Sequence, residues 1–140
     1  MKLLTILLFQ FLFSIGYSQN FNGDFRSYKT SFQDFSSTKN NFVEETEFKI
    51  AVIINENNND GRIVIQDPRI PKKLLVYKVI TYLGEVEDDG IISFLFNGIT
   101  DHLQNPIEVN LVFYYPKDKK LSLMVYSKET SQVFFDLIKK

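Results

Sequence analysis

A single histidine, His102, stands beside Asp101 and downstream of Ser93. Those three residue types could build a serine hydrolase, which needs a nucleophile, a base and an orienting acid that converge in space. The spacing speaks against it. Neighbouring Asp and His side chains on one loop do not easily face each other, and no glycines flank Ser93 as a nucleophile elbow requires. His102 therefore reads as an exposed loop histidine. One histidine without any cysteine also leaves a transition-metal site short of its usual ligands. The run from Glu56 to Asp67 comes nearer to a calcium loop, with Asn58, Asp60 and Gly61 at the third, fifth and sixth positions. It departs at both ends, where Glu56 replaces the first Asp and Asp67 replaces the bidentate Glu. Its flanks also alternate like strands, so we read an Asn-rich hairpin tip.

Glu85, Glu87, Asp88 and Asp89 form a dense acidic patch. Paired carboxylates can run glycoside hydrolysis, but these bracket a glycine-terminated turn where water solvates them. Lys117, Lys119 and Lys120 read as a charged turn that discourages edge pairing. The six glycines are isolated and begin no phosphate loop or dinucleotide fingerprint. We assign no catalytic residue, no metal ligand and no cofactor, and expect a protein that is not an enzyme.

The aromatic residues remain, 14 Phe and 7 Tyr. Most can fill a core, because each carries a large apolar area. A small eight-stranded barrel is either filled by its own side chains or holds one small ligand. We expect a filled interior, since a short chain has few residues to spare for cavity walls. The residues we nominate as ligand or partner contacts are Tyr77, Tyr82, Phe96, Tyr114 and Tyr126. The first functional reading is a non-catalytic binding module that takes a small apolar ligand in a barrel mouth. The alternative is a protein-interaction or structural domain that uses an exposed sheet face or edge. The stretch Lys72 to Leu83 motivates the alternative: Leu75, Tyr77 and Val79 back onto Leu74, Val76 and Ile80, so both faces are apolar.

Positioning such contacts falls to the elements. Period-two alternation dominates from about residue 42. Phe48, Ile50, Val52 and Ile54 alternate with charged neighbours, and Asp60-Gly61 signals a hairpin. Ile63 and Ile65 follow. Pro68 and Pro71 then break the pattern before the strand Lys72 to Leu83. Gly84 to Gly90 reads as an acidic turn, Ile91 to Phe96 as a strand, and Asn97 to Pro106 as a loop. Ile107, Val109, Leu111, Phe113 and Tyr115 share a face, as do Leu121, Leu123 and Val125. Gln132 to Ile138 reads as strand, since β-branched and aromatic residues dominate it. Phe25, Tyr28, Phe32 and Phe35 are spaced by three, four and three, which suits an amphipathic helix. Ser, Thr and aromatics are poor helix formers, so for residues 24–35 we prefer strand. The expectation is an all-β, single-domain, antiparallel up-and-down meander of 7–8 strands, closed into a small barrel or folded into a sandwich.

The chain ends set the address. Lys2, the apolar run Leu3 to Ile15 and the small residues Gly16 and Ser18 have the order of a cleavable signal peptide. We place it at residues 1–19, with cleavage after Ser18 or Gln19 and one β domain over 20–140. The run is shorter than the roughly 20 residues a membrane helix needs, and no later stretch could span. Without the leader the charge is 15 basic (16 less Lys2) against 17 acidic. That mild balance lacks the basic face of a nucleic-acid binder. Exported eukaryotic domains of this size are usually rich in disulfides. A cysteine-free exported chain fits a bacterial periplasmic, cell-surface or secreted protein better, and one without a lipid anchor.

Gly23-Asp24-Phe25, just before the first strand, resembles the Gly-x-Trp motif of lipocalins, with Phe in place of Trp. No second lipocalin motif accompanies it. The chain as a whole resembles small uncharacterised exported all-β proteins of Gram-negative bacteria. It shares their Lys-Leu-Leu start, a leader ending near Tyr-Ser-Gln, and Asn/Lys/Ile-rich strands. That resemblance implies an address and a β-rich fold, and no site residues.

Overall fold

The computed structural model describes residues 21–55, 60–70, 72–115 and 120–140. The expected signal peptide, Glu56 to Asn59 of the calcium-like run, and Lys117 and Lys119 lie outside them. The described chain is all-β: β1 (Gly23–Ser27), β2 (Lys29–Asp34), β3 (Phe42–Glu44), β4 (Phe48–Ile54), β5 (Gly61–Gln66), β6 (Leu74–Asp88), β7 (Ile91–Thr100), β8 (Glu108–Tyr115), β9 (Ser122–Tyr126), β10 (Thr130–Phe135) and β11 (Ile138–Lys139). They form one antiparallel sheet curled into a half-barrel. The strand order is β11-β1-β4-β5-β6-β7-β8-β9-β10-β2-β3.

The strands number 11, against the 7–8 expected. The difference is three interruptions in long runs: at Tyr28, at Glu45 to Glu47, and at Asp136 and Leu137. Phe25 faces Lys139 and Lys29 faces Phe135, so one register runs across the break from β1–β11 to β2–β10. Asp136 takes a positive φ of 51° at its break. A bend leaves ladder carbonyls without strand partners, and buried hydroxyls supply them. Ser27 Oγ donates to Phe135 O at 2.8 Å, and Thr30 Oγ1 donates to Val133 O at 2.8 Å. The break at Tyr28 also switches the inward parity. Phe25 and Ser27 face in before it, Thr30 and Phe32 after it. Phe25 and Phe32 thus both face inward, while Tyr28 and Phe35 are exposed, so the three-four-three spacing marks no helical face.

Two further expectations fail locally. Gly84 to Gly90 is strand up to Asp88. Bulges between Val79 and Thr81 and between Tyr82 and Gly84 let β6 continue, and Gly84 takes φ 123°, which a side chain would resist. The turn itself is Asp89-Gly90, both at positive φ. Asn97-Gly98 is strand too, not loop. A Cβ on Gly98 would meet Lys78 O at 2.6 Å, so this glycine serves close strand approach and not a turn.

The concave side carries the core of the described residues. Phe48, Ile50, Val52 and Ile54, then Ile63, Ile65, Val79, Leu111, Phe113, Leu123 and Phe134 form one buried cluster. Phe21, the first described residue, completes it. Its ring is stacked 4.7 Å from Phe113 and lies edge-on 4.9 Å from Phe94. The Asn22 side chain fastens that segment: Oδ1 accepts from Ile54 N–H at 2.6 Å and Nδ2 donates to Ile54 O at 2.8 Å.

Candidate functional site

Among the described residues, two pockets lie outside the buried cluster. One end of the half-barrel carries the β5–β6, β7–β8 and β9–β10 connections. There a pocket of about 190 Å³ opens between Phe32 of β2, Leu75 and Tyr77 of β6, Thr100 of β7, Val109 of β8, Val125 and Tyr126 of β9, and Thr130 and Gln132 of β10. Leu103 and Ile107, from the β7–β8 connection, form its outer wall. An apolar pocket with a few polar groups directed into it is the ordinary form of a small-molecule site.

The outer wall is pinned by short bonds. Thr100 N–H donates to Ile107 O and Ile107 N–H donates to Thr100 Oγ1, both at 2.9 Å. Asp101 N–H donates to Val76 O at 2.7 Å. At the next rung of the β6–β7 ladder a side chain takes part: His102 Nδ1 lies 3.0 Å from both Val76 N and Val76 O, accepting from the N–H in one tautomer and donating to the carbonyl in the other. The imidazole stands where a backbone carbonyl would, and its ring lies edge-on to Tyr77 at 5.5 Å. His102 is thus a structural brace for the mouth, not the exposed loop residue expected.

Tyr77 is 7% exposed and forms the floor. Burial pushes its phenol up to about 12, so it stays protonated at neutral pH. Its hydroxyl has no hydrogen-bond partner among the described residues. Tyr126 is half-buried on the rim of the same pocket. The other nominated residues lie elsewhere. Phe96 is fully buried in the phenylalanine cluster, with the Tyr82 ring 5.0 Å away. Tyr114 lies opposite Ser122 across β8 and β9; burial raises its phenol, and hydrogen bonding with Ser122 offsets part of that. The fold therefore brings Tyr77 and Tyr126 together and separates Tyr82, Phe96 and Tyr114 from them. Phe32, Leu103, Ile107 and Gln132 were missed. Gln132 left a readable signal, a polar residue at an inward position two before buried Phe134.

A second groove of about 520 Å³ lies where the three strand interruptions run side by side. Lys29 and Lys120 face Glu45, Glu47 and Asp136 there. Its charges engage neighbours: Arg26 pairs with Glu47 at 3.3 Å, and the Lys29 ammonium sits 5.5 Å from the Phe135 ring. The groove is larger, but it is more open and its walls are largely solvated.

The conceivable catalytic trio does not assemble. Ser93 lies near the far end of β7 from His102, on the order of 25 Å away at the usual strand rise. The Asp101 carboxylate pairs with Arg62 at 3.3 Å. The calcium-like run is not a loop in its described part: Gly61–Gln66 is strand, and Asp67 is held by Arg69. Among the described residues no group of three His, Cys, Asp or Glu could hold a metal ion. The described acidic residues Glu85, Glu87, Asp88 and Asp89 are exposed on β6 and its turn. No described helix is long and apolar enough to cross a membrane. No family model, no curated protein and no solved structure matches this chain.

Proposed function

We propose that the chain is a non-catalytic binding module that holds a small apolar ligand at the mouth of the half-barrel. One observation carries this reading: a largely apolar pocket of about 190 Å³ lined by the buried Tyr77 together with Leu75, Leu103, Ile107, Val109 and Val125. The buried cluster next to the pocket supports a ligand held at the mouth. The continuity of β1 with β2, and of β10 with β11, supports closure of the sheet into an eight-run barrel, which would make the pocket walls rigid. The apolar run after Lys2 supports an address in the periplasm, on the surface or in the medium.

A second reading, a protein-interaction domain, has its own support. Among the described residues β5 pairs with β6 only as far as Val79. Past that point β6 offers an edge bearing Ile80, Leu83 and Val86, each 40% exposed or more. Methyl NMR during titration with a small-molecule extract of the host's envelope separates the two. Shifts confined to Leu75, Leu103, Ile107, Val109 and Val125 support the mouth. A silent mouth, with shifts at Ile80, Leu83 and Val86 on adding envelope proteins, supports the edge.

A further inference from the structure

We infer that the mouth pocket selects a small uncharged molecule bearing a hydroxyl or carbonyl oxygen, which the Tyr77 hydroxyl binds. The inference rests on the reading of the mouth as a ligand site and specifies what that site accepts. Three features define the class. First, no lining residue is an acid or a base apart from the two phenols of Tyr77 and Tyr126. Asp101, next to the lining Thr100, is paired with Arg62. A charged ligand would lose water without gaining a counter-charge, which is strongly unfavourable. Secondly, the Tyr77 ring is buried while its hydroxyl, which bonds to nothing described, keeps some accessible surface. A ligand oxygen that replaces water on this hydroxyl gains the net worth of one hydrogen bond in a largely apolar surround. The side-chain amide of Gln132, also without a described partner, offers a second contact at the wall. Thirdly, a volume of about 190 Å³ equals roughly six waters at ~30 Å³ each. One aromatic ring with a short substituent fits; a long acyl chain does not.

The test uses three probes of matched shape: benzyl alcohol, toluene and benzoate, titrated into the protein as its host produces it while the methyl signals of Leu103 and Ile107 are followed. Benzyl alcohol should bind more tightly than toluene by roughly 2- to 12-fold, the worth of one net hydrogen bond, and benzoate should bind most weakly. Tyr77→Phe should abolish the preference for benzyl alcohol and leave toluene binding in place, which also shows that the variant is folded. Benzoate binding as tightly as benzyl alcohol, or a preference that survives in Tyr77→Phe, would overturn the ligand class while leaving the mouth as a site. Failure of all three probes to move the Leu103 and Ile107 signals would overturn the mouth reading itself.

Discussion

Phe21→Ala tests whether the start of the described chain is part of the core or merely lies against it. Terminal residues usually fray, and cleavage after Ser18 would leave Phe21 third in the processed chain. Yet its ring is 1% exposed and contacts Phe94, Phe96 and Phe113 at centroid distances of 4.9, 6.3 and 4.7 Å. Truncating a buried phenylalanine in a rigid core costs about 3–5 kcal/mol. The neighbouring Asn22 clamp on Ile54 keeps the backbone from closing over the void, so we expect about 3 kcal/mol. With a urea slope of ~1.5 kcal/mol per molar for a domain of this size, the midpoint should fall by about 2 M. The chain has no tryptophan, so far-UV circular dichroism or tyrosine fluorescence is the readout. A loss under about 1 kcal/mol would mean that Phe21 is not a core residue and would refute the packing described for this end.

Other consequences follow from single contacts. Burial raises the Tyr77 phenol from its ordinary 10.0 to about 12; a group whose folded value is raised contributes stability fully below the unfolded value and loses it as pH rises through the folded one. Stability should therefore fall between pH 10 and 12 by about 3 kcal/mol from this residue, and Tyr77→Phe should remove that share, leaving the smaller part due to Tyr82 and Tyr114. His102→Ala should cost about 1–2 kcal/mol by stranding the Val76 N–H, and amide exchange at Val76 should speed up well before that of Val79; unchanged exchange would show that the imidazole completes no rung. Gly98→Ala should destabilise by more than 1 kcal/mol, since its Cβ would sit 2.6 Å from Lys78 O; a neutral result in thermal melts would mean the β6–β7 pair can separate there.

Where one face of a strand is apolar and the other charged, the sequence predicted the structure residue by residue. Phe48, Ile50, Val52 and Ile54 all point inward because only that register buries them. Leu111, Phe113, Leu123 and Val125 follow the same rule. The two-faced stretch in β6 resolves the same way: Tyr77 and Val79 enter the core, while Leu74 and Ile80 stay 45% and 40% exposed. What alternation could not reveal was anything that resets its phase. The break at Tyr28 mimicked helical spacing, and the bulges before Gly84 hid the last third of β6. Gly98 carried the composition of a turn for a reason visible only across strands, in the approach of Lys78 O. The mouth was harder still, because Phe32, Tyr77, Leu103 and Gln132 meet only through the curl of the sheet. Tyr77 and Tyr126 were nominated as aromatics of inviting size, and Gln132 was passed over although an inward polar residue is the rarer event.

The most direct measurement is native mass spectrometry of protein recovered from its own host's envelope, wild type beside Leu103→Asp. Leu103 is 43% exposed on the pocket wall, so the substitution should leave the melting curve unchanged while placing a charge across the mouth. The account predicts an added mass of one to two hundred daltons on the wild type, as the volume of about 190 Å³ allows, lost on denaturation and absent from the variant. A bare wild type, or an adduct that Leu103→Asp retains in full, would contradict it.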